Sequence, residues 1–108
     1  MDLKAFEQTL EADAPPPGAA LALQALWHDA QGRWSSAHAL AQRDTSRAGA
    51  WVHAYLHRKE GDLGNAGYWY RRAGRAVGQG PLDEEWRDIA RTLLADPGQS
   101  GCAGERGA

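Results

Sequence analysis

The stretch Trp51–Arg75, WVHAYLHRKEGDLGNAGYWYRRAGR, decides the fold. Gly61-Asp62 cuts it into two amphipathic halves. Glycine adopts the left-handed conformation that closes a helix, and an aspartate just after it accepts hydrogen bonds from the free N–H groups that open the next one. The pattern predicts a helix over Ala50–Glu60, a tight turn, and a second helix capped by Asp62. In the second half Ala66, Trp69, Tyr70, Ala73 and Val77 recur at helical spacing, so this stripe is expected to face inward. The whole stretch reads as a helical hairpin. Gly64 and Gly67 weaken its second helix by about 1 kcal/mol each relative to alanine. A close approach by a neighbouring backbone or ring would account for them.

Before the hairpin, Leu3, Phe6 and Leu10 alternate with Lys4, Glu7 and Glu11, which predicts a short amphipathic helix over residues 2–11. The run Asp13-Ala-Pro-Pro-Pro-Gly18 ends it, because consecutive prolines lack N–H donors and hold the chain extended. That stiff linker lets the first helix fold back on the body or reach a neighbour. Ala19–Gln31 reads as the next helix, with Leu23, Leu26, Trp27 and Ala30 inward and Gly32 as its stop. Ser35 or Ser36 is the expected start of a third helix running to Arg43, and Asp44–Gly49 reads as a loop. Beyond the hairpin, Gly78-Gln-Gly-Pro81 breaks the chain. Asp83 is expected to cap a last helix with Trp86, Ile89, Ala90, Leu93 and Leu94 inward, ended by Asp96-Pro-Gly. Residues 97–108 are glycine-rich with nothing to bury and are expected to be disordered.

Setting Gly32 on Gly61 brings out an internal repeat. Ala25 then falls on Ala54, Trp27 on Leu56, His28 on His57, Trp34 on Leu63 and Ala37 on Ala66. Two units with shared landmarks are the mark of a helical repeat. The set Gly61-Asp62-Leu63, Ala66, Tyr70 and Ala73 resembles the second half of a tetratricopeptide repeat, and Gly32-Arg33-Trp34 with Ala37 is a weaker version. The resemblance covers roughly residues 20–80. The family's period is slightly longer, so the connecting loop here is trimmed, and the proline that commonly ends such repeats is displaced to Pro81. The block from Trp51 to Gly74 also resembles a family of small bacterial proteins to which no activity attaches. The tetratricopeptide likeness implies an all-α fold of two stacked helical hairpins, residues 20–43 and 50–77. An N-terminal helix and a capping helix over 83–95 would flank them in one domain, 1–96. It also implies that the first helix of each unit lines a concave groove.

The 12 basic residues against 14 acidic ones give a net charge of −2, which argues against a general nucleic-acid binder. Cys102 is the sole cysteine, so a disulfide framework and a cysteine zinc knuckle are excluded. The N-terminus lacks a basic-then-apolar leader pattern, and no stretch approaches the length of a membrane span. A cytoplasmic location with no membrane partner is the default expectation.

Three groups of residues could carry chemistry. His53, His57 and Glu60 share one helix face at i, i+4 and i+7, and two histidines a turn apart suit zinc or nickel. Gln24, His28 and Gln31 stand at the matching places in the first unit, so the stripe is equally explained as a duplicated set of interhelical hydrogen-bonding groups. Tyr68, Arg71, Arg72 and Arg75 are spaced to project together, away from the apolar stripe. Arginine forks take carboxylate or phosphate, and the alternative is a solvated face. Trp51, Tyr55 and Arg58 lie where the repeat resemblance places the groove, as a partner-binding hot spot or as core. Ala22, Leu26 and Asp29 are their smaller counterparts in the first unit.

No Ser–His–Asp spacing, phosphate-cradling glycine loop or isolated carboxylate pair points to a reaction. The leading expectation is a small interaction module for a protein, a peptide or a small acidic ligand, with homodimerisation open. The alternative is a small enzyme or metal-binding protein centred on His53 and His57.

Overall fold

A computed structural model describes residues 1–95, and among them every regular element is helical. The chain runs through α1 (Leu3–Gln8), a 3-10 turn (Thr9–Glu11), α2 (Leu21–Ala30), α3 (Trp34–Arg43), α4 (Arg47–Glu60), α5 (Leu63–Ala73) and α6 (Leu82–Ala95). None of these helices is long and apolar enough to cross a membrane. The expected stop at Asp96-Pro-Gly, the disordered tail and Cys102 lie outside the described residues.

Helix α4 is the centre of the molecule. Every residue from Ala48 to His57 is buried, so the helix is enclosed on all sides, and it contacts α2, α3, α5 and α6. Its start lies earlier than the sequence suggested. Ser46 is the N-cap, its side chain accepting from Gly49 N–H, and Asp44 Oδ1 accepts from both the N–H and the hydroxyl of Ser46. The second half of the expected loop over 44–49 is therefore helix, with the Asp-x-Ser turn as its opening. Gly49 is required there: a Cβ would sit 2.1 Å from the Asp44 carbonyl oxygen.

The two helix–turn–helix units close with the same bonds. Gly32 N–H donates to Asp29 O and Arg33 N–H to His28 O; 29 residues on, Gly61 N–H donates to Arg58 O and Asp62 N–H to His57 O. Both glycines have positive φ, 81° and 91°, which a residue with a Cβ adopts only at a steric cost. Asp62 caps α5 through Asn65, as expected. Helix α2 packs on α3, and α4 on α5.

Several expectations are corrected. Helix α5 stops at Ala73 because Gly74 turns left-handed, so Val77 leaves the stripe and is 55% exposed. Neither Ser35 nor Ser36 caps α3; the chain enters at Arg33 with no side-chain cap, and both serines stand exposed. Helix α2 is turned so that Asp29 is buried while Ala30 is exposed. Helix α6 begins at Leu82, which places Asp83 inside its first turn. Nothing approaches Gly64, and only the end of the Arg71 side chain comes near Gly67, so no close packing accounts for either glycine.

Helix α1 folds back on α6. Asp2 caps it, and buried Phe6 stacks on Trp86 at 5.8 Å. Tryptophan indoles fasten the elements together: Trp27 Nε1 donates to Thr9 O, Trp34 Nε1 to Leu56 O, and Trp86 Nε1 to Leu26 O. Each ring buries a large apolar area while satisfying its only donor on a carbonyl.

Candidate metal centre

Helix α4 carries polar side chains on two faces, and they are used differently. Toward α2 and α6 the groups are paired. Asp29, 3% exposed, accepts from the Tyr55 hydroxyl at 3.0 Å and from Lys59 Nζ at 2.9 Å. Buried Glu85 accepts from the Tyr70 hydroxyl and forms an ion pair with Arg58 at 2.6 Å, while Arg58 also donates to Gly80 O. Each buried carboxylate is thus matched by one phenol and one cation, as burial of charge requires. Burial and the neighbouring carboxylates raise both phenols well above the usual tyrosine range, so Tyr55 and Tyr70 are donors at every ordinary pH.

Toward α3 and α5 three imidazoles meet. His53 and His57 lie one turn apart on α4 with ring centroids 4.9 Å apart, and His38 of α3 stands edge-on to both, at 4.6 and 5.2 Å. One ligand-capable nitrogen from each ring lies within 4.8 Å of those of the other two. Tryptophans clamp two of the rings. Trp34 stacks on His38 at 4.9 Å, and Trp69 stacks on His53 at 3.9 Å and 14°. The third is oriented by Glu60, whose Oε2 lies 2.8 Å from His57 Nδ1. An ionised carboxylate only accepts, so Nδ1 carries the proton and a neutral His57 keeps its lone pair on Nε2.

Desolvation, reinforced by the neighbouring imidazoles, holds His53 down to about 4. Burial first, and then the proximity of His57, lowers His38 as well. Both are neutral near pH 7, the state in which imidazole binds a metal. Zinc holds imidazole nitrogens at about 2.0–2.1 Å, so two ligating nitrogens are at most about 4.2 Å apart. The spread of the cluster, within 4.8 Å, is therefore at most about 0.6 Å wider than such a site, and metal binding would draw the rings together. A cavity of about 130 Å³ opens beside His53, bordered by Trp69, Arg72, Arg47 and Asp44. Asp44 Oδ2 is buried there with no hydrogen-bond partner.

The structure thus redraws the anticipated set. His53 and His57 are brought together, but Glu60, two turns from His53, joins no ligand group with it. Glu60 instead orients His57, and it also belongs, with Asp62 and His57, to a second and more exposed group. The third imidazole, His38, was not anticipated. Its signal was Trp34-x-x-x-His38, an aromatic and a histidine one turn apart, in a unit whose repeat partner has Gly67 at the same place. His28 stays outside, its Nδ1 accepting from Arg33. Gln24 and Gln31 bind the backbone at Ala19 and Leu10, so the polar stripe of the first unit is structural.

The expected binding faces also come apart. Tyr55 and Trp51 are buried, and Arg58 is engaged with Glu85 and Gly80, so they do not form an open hot spot. Arg72 lies over Tyr68 and Trp69, and its guanidinium donates to the Tyr68 hydroxyl. Arg75, beyond the Gly74 turn, lies 3.9 Å over the Trp51 ring instead of continuing the row. Only Tyr68, Arg71 and Arg72 remain as an exposed set on α5.

Comparison with known proteins gives no match: no family model, no curated protein and no solved structure resembles the chain at a significant level. The functional reading therefore rests on the site.

Proposed function

We propose that this chain is a small helical metal-binding protein that holds a late first-row divalent ion, zinc or nickel, on His38, His53 and His57. The observation that carries the reading is the convergence of three imidazoles from two helices, with ligand-capable nitrogens within 4.8 Å. Glu60 adds the support typical of such sites, because a carboxylate on the far nitrogen fixes the tautomer and raises ligand basicity. Three histidines leave room for an exogenous ligand on the ion. The duplicated turns at Gly32 and Gly61 support reading the framework as tetratricopeptide-like. The test is a calorimetric zinc titration of metal-free protein. One ion per chain is expected, with binding lost in His38→Ala and kept in His28→Ala. Equal binding by these two variants would sink the proposal.

A second reading, docking of an acidic protein, peptide or small ligand, is supported by the exposed Tyr68–Arg72 pair and neighbouring Arg71. Arg71→Ala with Arg72→Ala should then abolish salt-sensitive capture of an acidic peptide while leaving zinc binding intact.

A further inference from the structure

A cavity of about 360 Å³ is on the other side of α4 from the histidines. It lies within the range of small-molecule sites, roughly 300–1,000 Å³. Leu10, Ala30, Leu82 and Trp86 supply apolar walls. Asp29, Tyr55 and Lys59, joined through the Asp29 carboxylate, belong to the same lining. Glu7, Asp83 and Arg87 form the rim, where Arg87 is paired with both acids.

We infer that this cleft binds a primary amine with a short apolar tail, its ammonium on Asp29 and its tail along Trp86 and Leu82. The lining carries three carboxylates against two cations, one of which is already shared between Glu7 and Asp83. Asp29 and Ala30 end α2 and Lys59 lies in the last turn of α4, so two helix C-termini add partial negative charge. The opposing N-terminus of α6 is offset by its own Asp83, Glu84 and Glu85. Lys59 itself displays the recognition: its ammonium, carried on a side chain about two-fifths exposed, sits 2.9 Å from Asp29 Oδ1. An incoming amine would replace Lys59 there, and Lys59 can swing into solvent on its flexible stem. Tyr55 keeps the second carboxylate oxygen occupied, which directs the ligand to the first.

The experiment compares hexylamine, hexanol and hexanoate by titration followed through the Trp86 indole N–H resonance in metal-free protein. The inference predicts a saturable shift with hexylamine and at least tenfold weaker binding of the other two, a difference of about 1.4 kcal/mol. Lys59→Met removes the internal competitor, so hexylamine affinity should rise about tenfold on the same scale. If Lys59→Met is too unstable alone, hexylamine should restore its melting temperature where hexanol does not. Equal binding of all three probes, or no shift at Trp86 with hexylamine, overturns the inference. So does a shift confined to Trp34 and Trp69, which would place the amine at the histidines. None of these results bears on zinc binding, so the two readings fail separately.

Discussion

The two polar faces of α4 differ in what their side chains have left to give. On the face toward α2 and α6, Asp29, Tyr55, Lys59, Arg58, Glu85 and Tyr70 satisfy one another through hydrogen bonds and ion pairs. On the face toward α3 and α5, His38, His53 and His57 meet mainly as rings, and the polar partner to one of them is Glu60. The first arrangement is a means of burying charge within a fold. The second leaves His38 and His53, among the described residues, without a hydrogen bond to displace, so a metal ion meets no competitor there, whereas an amine at Asp29 must displace Lys59. Polar residues in one helix thus divide by whether a partner closes their valence, a property that spacing does not reveal.

The largest expected effect breaks the paired face. Glu85→Ala strands Arg58 and Tyr70 and should cost about 3–5 kcal/mol in urea unfolding. His38→Ala, in metal-free protein, should cost much less, because no hydrogen bond of its ring holds another element. Equal costs would erase the distinction between the faces.

Acid should act on the histidine face. His53 is depressed to about 4, so between the ordinary value of 6.5 and 4 the unfolded chain takes up a proton that the folded chain refuses. Stability is fully present above pH 6.5 and should fall as pH drops toward 4, by on the order of 3 kcal/mol for this group. His53→Phe should flatten that slope in a series of melts between pH 7 and 4. An unchanged slope would assign the acid sensitivity elsewhere.

Zinc should sharpen the contrast at neutral pH. At a free concentration of 100 times its dissociation constant it should stabilise the wild type by about 2.7 kcal/mol. It should leave His38→Ala unmoved while still stabilising Lys59→Met. The smallest effect lies outside both faces. Gly64→Ala, on an exposed turn of α5 with open space around it, should stabilise by about 0.5–1 kcal/mol in the same urea assay. A loss there would mean that α5 depends on a glycine at position 64.

Much of the helical framework was legible because local rules wrote it. Gly61-Asp62 stops one helix and starts the next, and the Gly32 turn copies its bonds. Boundaries failed where competing local signals decided. Ser46, tied to Asp44, drew the start of α4 back into an apparent loop, and Gly74 ended α5 before Val77. Two of the three imidazoles of the candidate centre were legible, since His53 and His57 sit one turn apart in a single helix. His38 was not, because its approach depends on how α3 crosses α4. Burial of Asp29 and Glu85 was equally invisible, for their partners lie 26 and 30 residues away for Asp29 and 27 and 15 for Glu85.

The stack of Trp69 on His53 gives the molecule an optical label of its own. An excited indole transfers an electron readily to an imidazolium and poorly to a neutral imidazole. With the rings 3.9 Å apart and nearly parallel, the emission of Trp69 follows the charge of His53 directly. A metal ion on that ring would alter the same signal. The state of the centre can therefore be followed by fluorescence with no dye attached, and Trp34, stacked on His38, reports the same events from the other side.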